Sequence, residues 1–67
     1  MEIFSKRLKE LRKEKGLTQV EISKMLGLCQ QSYLRYELNK GEPSLETLSL
    51  LCKILDIDSD YLIGLKD

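Results

Sequence analysis

The stretch TQVEISKMLGLCQQSYLRYE, from Thr18 to Glu37, breaks at Gly27 into two short segments of helical spacing. In the first, Thr18 and Glu21 stand three residues apart as a capping box, in which each side chain satisfies the other residue's backbone amide. Ile22, Met25 and Leu26 supply the apolar face of a helix of about two turns, and Gly27 stops it by entering the left-handed region. The second segment, Gln30 to Leu38, contains no Gly or Pro and sets Tyr33 and Tyr36 one turn apart, which predicts another helix starting near Cys29. Cysteine is a poor N-cap, so the amides from Gln30 to Ser32 must find partners elsewhere. Ser23 is small enough to let the two helices approach, and Ile22, Leu26, Leu28, Tyr33 and Tyr36 seal the angle between them. That packing turns Gln30, Gln31, Leu34, Arg35 and Leu38 outward.

The flanks read as helices too. Phe4, Leu8 and Leu11 form an i, i+4, i+7 stripe with Lys and Glu on the opposite face, and Gly16 ends that first helix. Beyond the central pair, Asn39-Lys40-Gly41-Glu42-Pro43 is a cluster of turn formers, followed by Ser44 as N-cap for a helix carrying Leu45, Leu48, Leu51, Cys52 and Leu55. Leu50 and Ile54 widen its apolar face. Asp58 caps a last short helix with Tyr61, Leu62 and Ile63 before Gly64. No segment alternates with period two long enough to be a strand. The expected fold is all-α: one compact five-helix domain over residues 1–67, in which helices 2 and 3 form a helix-turn-helix.

Composition narrows the function. A chain of 67 residues cannot build a stable core and a deep active-site cavity from the same side chains. It has no His, which removes the usual general base and most zinc sites, and two Cys cannot complete a four-ligand site. We therefore expect no enzyme, no metal, no cofactor and no small-molecule substrate. Cys29 and Cys52 are not a CxxC pair, which fits a reducing, cytoplasmic setting, and both read as packing residues, with Cys52 in the core and Cys29 not as a thiol sensor. The absence of a long apolar run leads us to expect no membrane association.

Net charge is zero, with 11 basic and 11 acidic residues, but the average hides a split. Met1 to Gly41 holds nine basic residues against five acidic; Glu42 to Asp67 holds two against six. A polyanion is attracted to the first portion and repelled by the second. Lys6, Lys9, Lys13 and Lys15 read as a solvated face that contributes long-range attraction.

The runs Arg7-Leu8-Lys9-Glu10-Leu11-Arg12, Gly16-Leu17-Thr18-Gln19, Leu26-Gly27, Gln30-Gln31-Ser32, Arg35-Tyr36-Glu37 and Pro43-Ser44-Leu45-Glu46-Thr47-Leu48 occur in an order and spacing that resembles the phage repressor and Cro type (XRE) helix-turn-helix family of transcriptional regulators. The resemblance spans roughly residues 5 to 65. It implies a lambda-repressor-like fold and base contacts from Gln30, Gln31, Leu34 and Arg35. It implies phosphate contacts from Thr18, Gln19, Ser32 and Lys40, a structural ion pair between Arg12 and Glu37, and a dimer surface between helices 4 and 5 at Ile57, Ser59 and Tyr61. Three positions depart from the family pattern. Tyr33 stands where Ile or Val is usual, Leu34 where a polar residue is frequent, and Leu38-Asn39 where Asn-Gly is frequent, so the left-handed turn falls to Asn39 or waits for Gly41.

The expected function is a sequence-specific double-stranded DNA-binding regulator of repressor type, a homodimer on a two-fold symmetric operator. The alternative is a protein-interaction module, an antitoxin or accessory subunit that keeps the fold and meets a protein through Leu34, Leu38 and the acidic portion.

Overall fold

Local chemistry sets the helix ends. In a computed structural model describing residues 2–67, α1 runs Glu2–Glu14, α2 Gln19–Met25, α3 Gln30–Glu37, α4 Leu45–Leu55 and α5 Ser59–Ile63. No strand is present among the described residues. The α2 capping box is complete: Glu21 N donates to Thr18 Oγ1 at 3.0 Å and Thr18 N to Glu21 Oε1 at 2.9 Å. These bonds from Thr18 hold the exposed Glu21 carboxyl below its ordinary range. Ser44 Oγ accepts from Thr47 N at 3.1 Å to open α4, and Asp58 Oδ1 accepts from Tyr61 N at 2.8 Å to open α5. Cys29 occupies the N-cap of α3 and makes no capping bond.

Every helix sends side chains into one core: Phe4, Leu8 and Leu11 from α1, Ile22 and Leu26 from α2 and its cap, Tyr33 from α3, Leu51 and Leu55 from α4, and Leu62 from α5. Leu28, Tyr36, Leu48 and Cys52 pack around them, half-buried. Burial raises the Cys52 thiol above its usual range. The turn after α3 uses Asn39, at φ 59°, whereas Gly41 is not left-handed. An Asn accepts this conformation because its short polar side chain tolerates it better than others do.

Three apolar assignments change in the folded chain. Met25 is 53% exposed, because α2 is rolled so that Ile22, Ser23 and Leu26 face inward and the smallest residue meets the neighbouring helix. Ser23, nearly fully buried, donates its hydroxyl to the Gln19 carbonyl at 2.5 Å. Leu45 is 85% exposed; six positions before Leu51, it lies about a third of a turn off the buried stripe of α4. Cys29 is exposed instead of packed, and its hydrogen bond with Ser32 lowers its thiol from the usual range.

The C-terminal segment is stapled to α1 by Arg7. Its Nη1 donates to the Tyr61 carbonyl at 2.5 Å and the Lys66 carbonyl at 2.6 Å, and its guanidinium lies 4.2 Å from the Tyr61 ring centroid. Gly64 makes the staple possible: it sits at φ 89°, and a Cβ there would come within 2.9 Å of Ile3 Cγ2. Gly64→Ala is expected to cost about 1–3 kcal/mol, read as a lower urea midpoint at unchanged slope. A change confined to the slope would show that the denatured chain and not this contact had been altered.

Candidate nucleic-acid interface

The site is assembled around one buried carboxylate. Arg12 on α1 meets Glu37 at the end of α3 through Nε to Oε2 at 2.6 Å and Nη2 to Oε1 at 3.3 Å, while its Nη1 donates to the Leu17 carbonyl at 2.8 Å. The Tyr33 hydroxyl donates to Glu37 Oε2, and Gln19 Nε2 to Oε1 at 3.3 Å. The Glu37 side chain is only 2% exposed. Burial alone would raise its pKa, but the hydrogen bonds from Arg12, Tyr33 and Gln19 outweigh burial and hold the carboxyl below its ordinary range. The Arg12 guanidinium is held above its usual pKa by the bond to Glu37. Burial, reinforced by the bond to Glu37, pushes the Tyr33 phenol strongly upward, so it stays a neutral donor.

From this anchor the polar chain continues outward. Gln30 Nε2 donates to Gln19 Oε1 at 3.4 Å, which links the first residue of α2 to the first residue of α3. A second tie holds α3 to α1: the buried Ser5 hydroxyl donates to the Tyr36 carbonyl at 2.6 Å. Phe4 and Tyr33 both meet the Tyr36 ring edge-on, at centroid distances of 6.4 and 6.2 Å. The exposed start of α3 therefore rests on aromatic and polar contacts reaching back to α1.

The exposed face of α3 places Gln30, Gln31 and Ser32 on its first turn and Arg35 one turn on. Leu34 is half-buried. Arg35 lies along the following loop, with Nη2 donating to the Lys40 carbonyl at 3.1 Å, and shares a cleft with Leu28, Ser32, Tyr36, Gly41 and Glu42. Thr18, Ser32 and Lys40 are exposed, and Gln19 is half-buried. The structure thus brings Gln19 and Gln30 together at the α2–α3 corner, leaves Gln31 exposed on the next position, and sets Ser32 and Arg35 along one cleft, with Arg35 bonded to the Lys40 carbonyl.

The residues suggested for a dimer surface border different hollows. Ser59 opens on a cleft of about 300 Å³ between α4 and α5 with Leu45, Leu48, Ser49 and Cys52. Ile57 packs against the core, and Tyr61 borders a different hollow with Ile3, Lys6, Arg7 and Glu10.

Charge is redistributed as well. Arg12 is buried and Arg7 is engaged by the C-terminal segment, so two of the nine basic residues of the first portion are structural. Glu37 is buried too, leaving seven basic side chains against four acidic ones outside these pairs, a net positive surface. Sequence reasoning assigned no role to Arg7 or Ser5. Their one legible signal is spacing, since each stands within a turn of Phe4 and Leu8 on the inward side of α1.

No helix is long and apolar enough to cross a membrane among the described residues. A family model described as helix-turn-helix matches residues 8–62. An SPbeta prophage-derived HTH-type transcriptional regulator of Bacillus subtilis, YonR, is 41% identical over 61 residues, covering 91% of this chain and 56% of its own length. A second regulator of that organism, YqaE, is 43% identical, covering 91% of this chain and 53% of its own length. The cryptic phage CTXphi transcriptional repressor RstR of Vibrio cholerae is 34% identical, covering 92% and 56%. The chain spans about half the length of the curated relatives it matches. With α2 and α3 meeting at Gly27 inside the matched span, and regulators named for the same motif aligning over nine-tenths of the chain, this protein belongs to the helix-turn-helix family of the phage repressor and Cro type.

Proposed function

We propose that residues 1–67 are a single DNA-binding domain of a sequence-specific transcriptional regulator, of repressor type, that lays α3 in the major groove of double-stranded DNA. The observation that carries this reading is the braced start of α3, where Gln30 and Gln31 stand exposed beside Ser32 on a helix hydrogen-bonded to α2 and α1. Gln pairs bidentately with adenine and Arg with guanine, and a B-form major groove admits one helix of this size. Gln30, Gln31, Leu34 and Arg35 form the base-reading face, with Leu34 against a thymine methyl group. Thr18, Gln19, Ser32 and Lys40 hold phosphates and set the register. The net positive surface of the first portion supports this orientation, with the acidic α4–α5 side turned away. The domain works in the cytoplasm without a catalytic role, and pairs on its operator through the α4–α5 region around Ile57, Ser59 and Tyr61.

The test is selection from a random duplex library with the purified protein at moderate salt. A two-fold motif with half-sites about 10 base pairs apart is the expected result. Gln31→Ala is expected to lose about 1–3 kcal/mol on the selected site and little on random DNA. Lys40→Ala weakens all sequences alike and makes the salt dependence shallower. Equal losses on both DNAs for Gln31→Ala would remove it from the base readers. Recovery of no motif, with binding abolished at physiological salt, would favour a protein partner instead.

A further inference from the structure

Glu37 does more than neutralise Arg12. Each of its oxygens receives two donors: Oε2 from Arg12 Nε and the Tyr33 hydroxyl, Oε1 from Arg12 Nη2 and Gln19 Nε2. An ionised carboxylate has no proton to give, so the Gln19 amide beside it must turn its NH2 end inward. The Gln19 carbonyl then faces Gln30, 3.4 Å from its Nε2, and the Gln30 amide must also point its NH2 end back. What Gln30 has left for an outside partner is its Oε1 and one N–H. In the major groove, adenine presents an acceptor, N7, beside a donor, the N6 amino group, whereas guanine presents two acceptors, N7 and O6. One acceptor plus one donor on Gln30 fits adenine. With the amide reversed, its oxygen would be used by Gln19 and two N–H groups would face out, which fits guanine.

We infer that Glu37, buried away from the exposed face of α3, is a positioning residue that fixes the amide polarity of Gln19 and Gln30 and so makes Gln30 a reader of adenine over guanine. The inference deepens the reading of α3 as the groove-inserted helix and rests on it. The relay is directional because the buried end offers only acceptors. Each amide passes the constraint on by using one end and presenting the other.

Glu37→Gln tests this directly. With its oxygen kept on the shorter contact to Arg12 Nε and on the Tyr33 hydroxyl, the new amide gives up the longer Arg12 Nη2 bond and places its NH2 where Oε1 faced Gln19, which reverses both downstream amides. Library selection with the wild-type domain and with Gln30→Ala identifies the motif column that Gln30 reads, as the one that relaxes. In wild type that column is expected to favour adenine over guanine by on the order of tenfold or more. In folded Glu37→Gln it is expected to favour guanine, with the other columns unchanged. Retention of adenine there overturns the inference, as does a Gln30→Ala variant that relaxes no column.

Because Glu37→Gln also deprives Arg12 of its counter-charge, Gln19→Leu serves as a second variant, cutting the relay while leaving the ion pair in place. It is expected to bring the adenine-to-guanine ratio at that column to within about twofold; an unchanged ratio overturns the inference. A DNA-free measurement separates this failure from failure of the functional reading. A scalar coupling across the hydrogen bond from Gln19 Nε2 to the Glu37 carboxyl carbon is expected by NMR in the free domain. A Gln19 amide whose NH2 makes no such coupling overturns the relay while leaving DNA recognition intact. A wild-type domain that selects no motif overturns both the DNA reading and the adenine assignment.

Discussion

Arg12→Ala is expected to destabilise the domain by about 3–5 kcal/mol at neutral pH, because it leaves the Glu37 carboxylate buried without its charge partner. A single core in a chain this short supplies only about 3–5 kcal/mol in all, so the variant should be largely unfolded by far-UV circular dichroism. The pH dependence identifies the cause. In the native protein the folded Glu37 has a depressed pKa, so its stabilising contribution is complete above the unfolded carboxylate range and is lost as pH falls through the folded value. In Arg12→Ala, burial opposes ionisation with less compensation and the folded pKa moves up, so acidification favours that variant's folded state until Glu37 is protonated. The gap between the two proteins should therefore begin to narrow above the unfolded carboxylate range, where the variant gains stability, and go on narrowing below it, where the native protein loses it. A gap constant with pH would mean that Arg12 acts through packing alone. Replacing both partners by apolar residues and removing the buried hydroxyl that bonds them, as in Arg12→Met with Glu37→Leu and Tyr33→Phe, is expected to recover most of the loss.

Tyr33→Ala is expected to have an effect of similar size, about 3–5 kcal/mol, by opening a cavity where the ring meets Tyr36 and the rest of the core. Tyr33→Phe separates ring from hydroxyl. It keeps the packing and removes one donor from Glu37, so the expected cost is about 1.5–3 kcal/mol. Equilibrium urea unfolding of the two variants measures the split. A Tyr33→Phe protein as stable as the parent would show that Arg12 and Gln19 already satisfy the carboxylate. The position also explains how a tyrosine fits where the family more often has Ile or Val: its ring is fully buried, and its hydroxyl ends on the Arg12–Glu37 pair.

Much of this architecture is written in short-range chemistry. The Thr18/Glu21 box, the Ser44 and Asp58 caps, and the left-handed Gly16, Gly27 and Gly64 all act within one helical turn. They are legible because a cap needs only its own backbone neighbours. The i, i+4 stripes of α1 and α4 identify Phe4, Leu8, Leu51 and Leu55 as core for the same reason. Periodicity gives the inward face only to within about one residue step, and there the reading of Met25 and Leu45 departs from the structure. The roll of α2 is chosen by Ser23, whose small side chain permits close approach, and nothing local to Met25 records that choice.

Charged and polar residues show the boundary most clearly. Lys and Arg along α1 look alike as a string, yet Lys6, Lys9 and Lys13 remain in water while Arg7 is drawn under the C-terminal segment and Arg12 into the interior. Arg7 meets residues 54 and 59 positions away, and Glu37 collects donors from α1, α2 and α3. Helix boundaries, the α2–α3 corner and the family are therefore settled by interactions of a few residues' reach that any extended chain already carries. Which side chains line the corner, which charges face water and which way the Gln19 and Gln30 amides point are settled only on folding, because a hydrogen bond or ion pair between distant residues forms once packing has removed both groups from water.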